Sequence, residues 1–500
     1  MVAVAVLWRT LAAVPAPVPS VSAVALFLAS TGTCRYDGWL RWISKLADGA
    51  DGSCRFPRLL PFARRASMSH LQIYGNDSQE TDSREVVITG VGMVSPIGIG
   101  REAFWSSLTE GRSGVGPVDL FDVDEWKVKF GAPVRDFEPK KFVRPRKSLK
   151  VMSREIQLGF TAADLAFADA GLADQTVDSD RFGVVFGADM MYCDLQDLKD
   201  AYNSCMQDGK FDFSQWGSKA LPNMYPLWML KYLPNMPACH IGIALDARGP
   251  NNSITLGEVS SLLAMMEASR VISRGQADLM VAGGTSSRLH AMNIITKGDE
   301  QLSHRNDDPQ AASRPFDAAR DGFVHGEGSG AVVLECRQVA EARGANILAR
   351  VLGHGNAFEP HADNEPLTGD AICRAIEQAL AEANLNPEDV GHVNAHGLSG
   401  IESDRLEAQA IRKVLGDVPV TAPKSFFGHL GAGSGAVEAA VSVLALQNGE
   451  VPVTLNYEQA DPDCPVNVIH GSSLKDAKKT ALVLNQATTG QAAALLIAAP

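Results

Sequence analysis

The sequence predicts an α/β fold built from two successive halves in which strands and helices alternate. Short apolar runs that end at or contain glycines, such as Val86–Gly92 and Phe182–Ala188, have the length of buried strands. Segments with helical spacing lie between such runs, as at Gln157–Ala170. A second series starts near Gly344, and no Pro/Gly/Ser-rich linker precedes it. We therefore expect the two halves to share one rigid body.

The first half carries further segments of the same kinds. A short helix is predicted at 104–108, and residues 113–150 are predicted to be loop. A strand with a glycine turn is predicted at 278–284, and a glycine loop that leads into a strand at 326–335. Residues 190–238 form an irregular insertion rich in Met, Tyr and Trp. Such an insertion is either core or a surface that binds a partner chain.

The second half repeats the alternation. Its strands are predicted at 347–352, 390–396, 418–421, 480–484 and 493–498, and its helices at 370–383, 402–414 and 436–447. These assignments predict one half over residues 84–343 and another over 344–500.

Composition excludes several classes of protein. The 500 residues are 45% hydrophobic and 21% charged, an ordinary globular balance. The net charge of −13 argues against a general nucleic-acid-binding role. The eight cysteines are scattered without close pairs, so we expect no metal site and free thiols in a reducing compartment, the cytoplasm. The longest early apolar run, Val21–Ala29, is too short to span a membrane.

Residues 1–83 are predicted to be an extension outside the two halves. The first 67 residues hold eight basic and three acidic side chains, a sign opposite to that of the whole chain. They show no clear periodicity, and a polar stretch follows from Met68. We interpret residues 1–67 as disordered or as a start assigned too early, with a cleaved targeting segment as the alternative.

One stretch of the first half predicts a site. A short β-like segment passes through Gly257 into an apolar helix predicted at 259–272, which places Glu258 at the helix entrance. Unpaired backbone N–H groups at such an entrance can stabilise an oxyanion, and enzymes place nucleophiles there. The run from Thr255 to Glu258 also has the form of a capping box. Local sequence favours the cap.

A set of motifs in a fixed order resembles the β-ketoacyl-acyl-carrier-protein synthases, condensing enzymes of the thiolase fold. The resemblance spans 84–500 and rests on Val87-Ile-Thr-Gly-Val-Gly92, Leu233-Pro-Asn-Met-Pro237, Gly249-Pro-Asn251, Ala282-Gly-Gly-Thr285, Arg314-Pro-Phe-Asp317, Asp321-Gly-Phe323, Gly326-Glu-Gly328, Asn394-Ala-His-Gly397, Lys424-Ser425 and Gly428-His429.

The resemblance implies an architecture and a chemistry. It implies a five-layered αβαβα core of two similar halves, and a dimer formed across a shared sheet. It implies substrates carried on the phosphopantetheine of an acyl carrier protein, with no metal or other cofactor. In the family a Cys takes the acyl chain, and two His assist malonyl decarboxylation. The His pair matches His396 and His429, the family's Lys matches Lys424, and its helix Glu matches Glu407. A Lys–Glu pair could orient the two imidazoles.

Three departures from the family pattern concern the thioester. The position of the nucleophilic Cys matches Glu258. Two Thr that hold the pantetheine arm match Leu398 and Gly400. The C-terminal loop, whose Phe gates the acyl pocket, matches 488–493, where we single out Thr489. Condensation through an acyl-cysteine is therefore not expected, because no thiolate is present to form it.

Two interpretations of function remain. The first is a partner subunit, like the chain-length factors that pair with an intact synthase, and we favour it because the substrate contacts have changed together. The second is a decarboxylase acting on carrier-bound malonyl groups through the His pair. Either a homodimer or a heterodimer with an intact ketosynthase fits the resemblance, which taken alone implies a 3-oxoacyl-acyl-carrier-protein synthase.

Overall fold

The computed structural model describes residues 84–360 and 366–500. The predicted extension, residues 1–83, lies outside the described part of the chain. Glu80–Pro500 forms one compact unit. Within the described residues, every helix is too short or too polar to cross a bilayer.

The main sheet contains eleven strands in a continuous ladder, with the short strand Gly98–Ile99 added to the first of them. In chain order they are β1 (Val86–Ser95), β2 (Phe182–Ala188), β3 (Asn251–Ile254), β4 (Leu279–Ser287), β5 (Glu327–Cys336), β6 (Ala349–Phe358), β7 (His392–Asn394), β8 (Pro419–Thr421), β9 (Asn467–Val468), β10 (Thr480–Gln486) and β11 (Gln491–Ala498).

Each half of the sheet has the same strand pattern. The first half is ordered β3-β2-β4-β5-β1 and the second β8-β7-β10-β11-β6, with the short strand β9 added beside β8. In both halves the first three strands are parallel and the last two join antiparallel. The halves meet where β1 pairs with β6, at Val87 opposite Arg350 and Ile88 opposite Ala349. The two similar halves predicted from the sequence are therefore present.

The helices complete five layers. In chain order they are α1 (Arg101–Thr109), α2 (Arg154–Asp169), α3 (Leu195–Ser204), α4 (Met236–Leu245), α5 (Ser260–Ser273), α6 (Ala291–Lys297), α7 (Arg337–Ala342), α8 (Asp370–Ala383), α9 (Ile401–Leu415), α10 (Lys424–Phe427) and α11 (Ser434–Asn448). Helices α2 and α4 cover the outer face of the first half, and α8 with α9 covers that of the second. Helices α5 and α11 pack on each other and on strands of both halves. The fold is the predicted αβαβα arrangement.

The two middle helices are buried because they are apolar on most of their surface. Leu262, Met265 and Met266 of α5 join Val437 and Leu444 of α11 in the central hydrophobic cluster. A helix that is apolar all round is stable only when other elements cover it. This central layer holds the loops that precede α5 and α11 at one end of the sheet, where the candidate site lies.

Several predicted glycine turns are wrong, because these glycines lie inside strands. Strand β4 continues through Gly283, and β5 contains Gly330. A Cβ at Gly283 would lie 2.1 Å from the carbonyl oxygen of Gly330, and a Cβ at Gly330 would lie 2.5 Å from the backbone nitrogen of Val437. The missing side chains therefore let strands and the central helix α11 approach closely.

The insertion at 190–238 contains α3, a small hairpin and several tight turns. Ala201, Cys205, Ala220 and Met224 form its own small buried cluster. Around them lies a surface of exposed large hydrophobic side chains, which we call the apolar surface: Met190, Leu195, Tyr202, Met206, Phe211, Phe213, Leu221, Tyr225, Leu227 and Met229.

Candidate active site

Glu258 lies at the N-terminal end of α5, in a turn that its neighbours Gly257 and Ser260 form without a capping box. Gly257 has φ +56° and opens a single 3₁₀ turn, Gly257–Val259, that leads into α5. The hydroxyl of Ser260 accepts a hydrogen bond from Leu256 N–H at 2.8 Å and donates one to the carbonyl of Gly257 at 2.7 Å. The predicted cap by the Glu258 side chain is wrong, because Ser260 satisfies this turn and leaves the carboxylate directed elsewhere.

The Glu258 carboxylate is bound by two side chains. Arg288, directly after β4, donates from Nη2 to Glu258 Oε1 at 2.8 Å, and the same Nη2 lies 2.8 Å from Asp189 Oδ2. His429 Nε2 lies 3.2 Å from Glu258 Oε1. Burial would raise the pKa of Glu258, but the hydrogen bond from His429 and the charge of Arg288 outweigh burial and hold this pKa well below its usual value. Glu258 is therefore an ionised, paired carboxylate.

His396 lies across the site from His429, with the two ring centroids 6.2 Å apart. Lys424 Nζ lies 3.2 Å from His396 Nδ1 and donates to the His396 carbonyl at 2.7 Å. Burial, together with the charge of Lys424, lowers the pKa of His396 well below its usual value. We assign the proton of this neutral ring to Nε2, because an ammonium group can only donate to Nδ1.

The carboxylate partner of Lys424 is Glu438 of α11, not the Glu407 that the sequence suggested. Lys424 donates to Glu438, whose side chain is fully buried and also accepts from Asn485 Nδ2 at 2.6 Å. Glu407 instead accepts the backbone N–H groups of His396 and Gly397, at 2.6 and 2.8 Å. Burial raises the pKa of Glu407 to about 8. Glu407 thus positions the backbone of His396, and Lys424 positions its ring.

A second buried acid fixes the loop after His396. Asp404 Oδ2 accepts from Phe316 N–H at 3.0 Å and from Ser399 N–H at 3.1 Å. Ser399 has φ +71°, a backbone conformation that residues other than glycine rarely adopt. Burial raises the pKa of Asp404 to about 6. This turn places Leu398 and Gly400 toward the site.

His429 is neutral and its Nε2 proton is used within the chain. Burial lowers the pKa of His429 to about 4, although the hydrogen bond to Glu258 acts in the opposite sense. The ring of Phe323 packs edge-on against it, with centroids 5.6 Å apart. We assign the proton to Nε2, since that atom faces the Glu258 carboxylate. Nδ1 of His429 is buried and has no hydrogen-bond partner among the described residues.

A cavity of about 400 Å³ opens onto this group. Glu258 and His396 are among its lining residues. The remaining lining is Glu300, Gln301, Asp321, Gly322, Phe323, Pro366, Leu367, Leu398, Gly400, Ile401, Glu402, Ser403, Leu406, Gln486, Ala487 and Thr488. None of the cysteines in the described part of the chain is in this lining. Within the described residues, the cavity lining therefore includes one imidazole and the paired carboxylate of Glu258, but no thiol.

The structure brings together most of the residues singled out in the sequence. Leu398 and Gly400 line the cavity, whereas Thr489 is exposed and donates to Gln491, and its neighbour Thr488 lines the cavity instead. The sequence did not indicate Arg288, Asp189 or Glu438. Arg288 follows the strand predicted at 278–284. This position, at the same end of the sheet as Glu258, was the one feature of the sequence that could have indicated a place in the site.

Comparison with known proteins identifies the family. The family model described as "Beta-ketoacyl synthase, N-terminal domain" matches residues 83–340 of this chain. The model described as "Beta-ketoacyl synthase, C-terminal domain" matches residues 348–458. The 3-oxoacyl-[acyl-carrier-protein] synthase 2 of Synechocystis sp. is 35% identical over 398 residues, which is 78% of this chain and 92% of that protein. The enzyme of the same name from Vibrio harveyi is 34% identical, over 78% of this chain and 93% of that protein.

Solved structures agree with this assignment. The ishigamide ketosynthase/chain length factor has a TM-score of 0.73 and 28% identity, covering 84% of this chain and 100% of that one. A β-ketoacyl synthase from Burkholderia phymatum has a TM-score of 0.75 and 29% identity, and the match covers 83% of this chain and 100% of that one. A type II polyketide ketosynthase in complex with its acyl carrier protein, AntDE:AntF, has a TM-score of 0.73 and 28% identity, over 84% and 100%. This chain belongs to the β-ketoacyl synthase family.

Proposed function

We propose that this chain is a chain-length-factor-like partner subunit of a ketosynthase, and that Glu258 stands where the nucleophilic Cys of an active synthase would stand. The observation that carries the proposal is the state of Glu258. Its carboxylate is ionised, bound to Arg288 and hydrogen-bonded by His429 Nε2. A carboxylate held in this way is a poor nucleophile toward a thioester, and an attack would give only an unstable mixed anhydride.

The arrangement also removes one half of the His pair from catalysis. In a synthase the two imidazoles would donate to the thioester oxygen as it becomes an enolate. Here the Nε2 proton of His429 is directed to Glu258, 3.2 Å away, so His396 is the one imidazole among the described residues that lines the cavity. This loss of a donor weighs against both condensation and efficient decarboxylation.

A partner chain would cover the apolar surface of the insertion at 190–238. Met229 is 55% exposed and Met190 is 68% exposed. Contiguous exposed side chains of this kind are typical of protein interfaces. We propose an intact ketosynthase as the partner, with an acyl carrier protein as the further partner that delivers the chain. The cytoplasm remains the predicted location.

The decisive experiment combines complex formation with chemistry. The full chain should co-purify at 1:1 with an intact ketosynthase of the same genome when the two are co-expressed. Met229→Asp should weaken that complex, while Leu120→Asp, outside the apolar surface, should not. Intact mass spectrometry after incubation with acyl carrier substrate should show no acyl adduct on this chain. Formation of a stable acyl adduct, or condensation by this chain alone, would overturn the proposal.

A decarboxylase is the second candidate, because His396 presents a Nε2 proton to the cavity with Lys424 fixed behind it. If this candidate is correct, the chain alone releases carbon dioxide from malonyl carrier protein and His396→Ala abolishes the release. Glu258→Gln would then raise the rate, since a neutral amide does not repel the malonyl carboxylate. No release of carbon dioxide by the wild type eliminates this candidate.

A further inference from the structure

Arg288 is a buried cation whose hydrogen bonds are directed at carboxylates. Its side chain is 5% exposed. Nη2 lies 2.8 Å from Glu258 Oε1 and 2.8 Å from Asp189 Oδ2. Nε is buried and has no hydrogen-bond partner among the described residues. A guanidinium with donors still unfilled is suited to hold a carboxylate in two-point contact.

The charges around Arg288 do not balance. One guanidinium faces two carboxylates, Glu258 and Asp189, and the neighbouring His429 is neutral. The group therefore carries a net charge of about −1, and its Glu258 carboxylate borders the cavity. If Glu258 lost its carboxylate, Arg288 and Asp189 would form a neutral pair with donor positions open toward the space left by the side chain.

Among the described residues, the cavity lining provides no cation to an anionic ligand. Glu258 lines the cavity and is 16% exposed, whereas Arg288 contacts Glu258 but is not itself part of the lining. Three further acids, Glu300, Asp321 and Glu402, line the walls, and no Lys or Arg is among the lining residues that the structure describes. The rest of the wall is largely apolar: Phe323, Pro366, Leu367, Leu398, Ile401, Leu406 and Ala487. This lining suits an uncharged acyl chain and disfavours a ligand that ends in a carboxylate.

We propose that Arg288 is a specificity-determining residue: its guanidinium is a carboxylate-binding site that Glu258 fills from within the chain, so that the cavity accepts an uncharged acyl group and excludes one that ends in a carboxylate. The inference rests on the proposed function, because a partner subunit would receive a growing chain but not an extender unit. Glu258 acts as a permanent occupant of the site that a malonyl carboxylate would need.

The test compares two ligands of similar size, butyryl-pantetheine and malonyl-pantetheine, by isothermal titration calorimetry on the full chain. Wild type should bind the butyryl ligand at least tenfold more tightly than the malonyl ligand. Glu258→Ala should gain affinity for malonyl-pantetheine by at least tenfold. The double variant Glu258→Ala/Arg288→Met should lose that gain and keep butyryl binding. In the matched control Glu258→Ala/Arg305→Met, where the removed cation pairs with Asp321 at the wall, the malonyl gain should remain.

A second measurement does not depend on pantetheine binding. Acetate should raise the melting temperature of Glu258→Ala by mass action, whereas acetamide, its uncharged analogue, should not. The effect should disappear in Glu258→Ala/Arg288→Met. Equal stabilisation of both variants by acetate would mean that Arg288 is not the binding group.

The outcomes separate this inference from the proposed function. Wild type that binds both pantetheine ligands equally, without releasing carbon dioxide, overturns the selectivity and leaves the subunit proposal intact. Selectivity as expected, together with failure to form a complex with any intact ketosynthase, overturns the subunit proposal and leaves the role of Arg288 intact.

Discussion

Replacing Glu258 with Gln removes one charge and almost nothing else. Gln keeps a carbonyl oxygen in the place of Oε1, so Arg288 and His429 can still donate to it. Hydrogen bonds to a charged group contribute about 1.5–3 kcal/mol and neutral ones about 1 kcal/mol. Two weakened bonds therefore cost about 2 kcal/mol of unfolding free energy. This is less than the 3–5 kcal/mol, roughly, of a broken buried pair, because Arg288 keeps Asp189 as a partner.

That loss converts into a measurable shift of melting temperature. Unfolding entropy is about 2.1 cal/mol/K per residue, which for about 420 residues of the unit Glu80–Pro500 gives about 0.9 kcal/mol/K. Glu258→Gln should therefore melt about 2 °C below wild type at pH 7. The matched control is Glu377→Gln on the exposed face of α8, which should melt within about 0.5 °C of wild type.

The pH dependence provides a sharper check. The folded-state pKa of Glu258 lies below its unfolded value, so its stabilising contribution is complete above the unfolded pKa of about 4.3 and is lost as the pH falls below it. The gap between wild type and Glu258→Gln should be constant from pH 7 to pH 5 and narrow below about pH 4.3. Differential scanning fluorimetry across that range measures it. A gap of zero at pH 7, or one that persists unchanged at pH 3.5, would refute an ionised, paired Glu258.

Three other changes have defined outcomes. Glu438→Gln leaves Lys424 buried without its carboxylate, so urea unfolding should show a loss of about 3–5 kcal/mol. Burial lowers the pKa of His392 to about 4, below its unfolded value of about 6.5, so this residue should account for about 3 kcal/mol of the stability that wild type loses as the pH falls from 6.5 to 4. His392→Leu should remove that share in urea titrations, while the share of the buried His396 and His429 remains. Gly330→Ala forces a Cβ against the central helix and should cost about 1–3 kcal/mol by the same measurement, while Gly217→Ala, with open space around it, should not.

The local sequence pattern was sufficient to predict most of the helices and strands. It failed where tertiary packing determines whether a glycine lies in a turn or inside a strand. The predicted helix at 370–383 and the strand at 182–188 have the observed bounds, because periodicity and length are local properties. The strands around Gly283 and Gly330 were cut short, because a glycine that admits a neighbouring backbone has the same appearance in sequence as one that makes a turn.

The residues of the candidate site also fall into those that the sequence could predict and those that it could not. The sequence indicated His396, His429 and Lys424 through motifs, and the structure brings them together. It could not indicate that Lys424 pairs with Glu438 or that Arg288 binds Glu258, since these partners lie 14 and 30 residues away and meet only through tertiary packing.

The turn before α5 has an evolutionary consequence. Its hydrogen bonds come from Ser260 and its backbone conformation from Gly257, so the helix entrance does not depend on the side chain between them. A gene copy could therefore exchange the residue at 258 and keep the turn that begins the helix. The chemistry of this position can change while the scaffold that carries it stays the same.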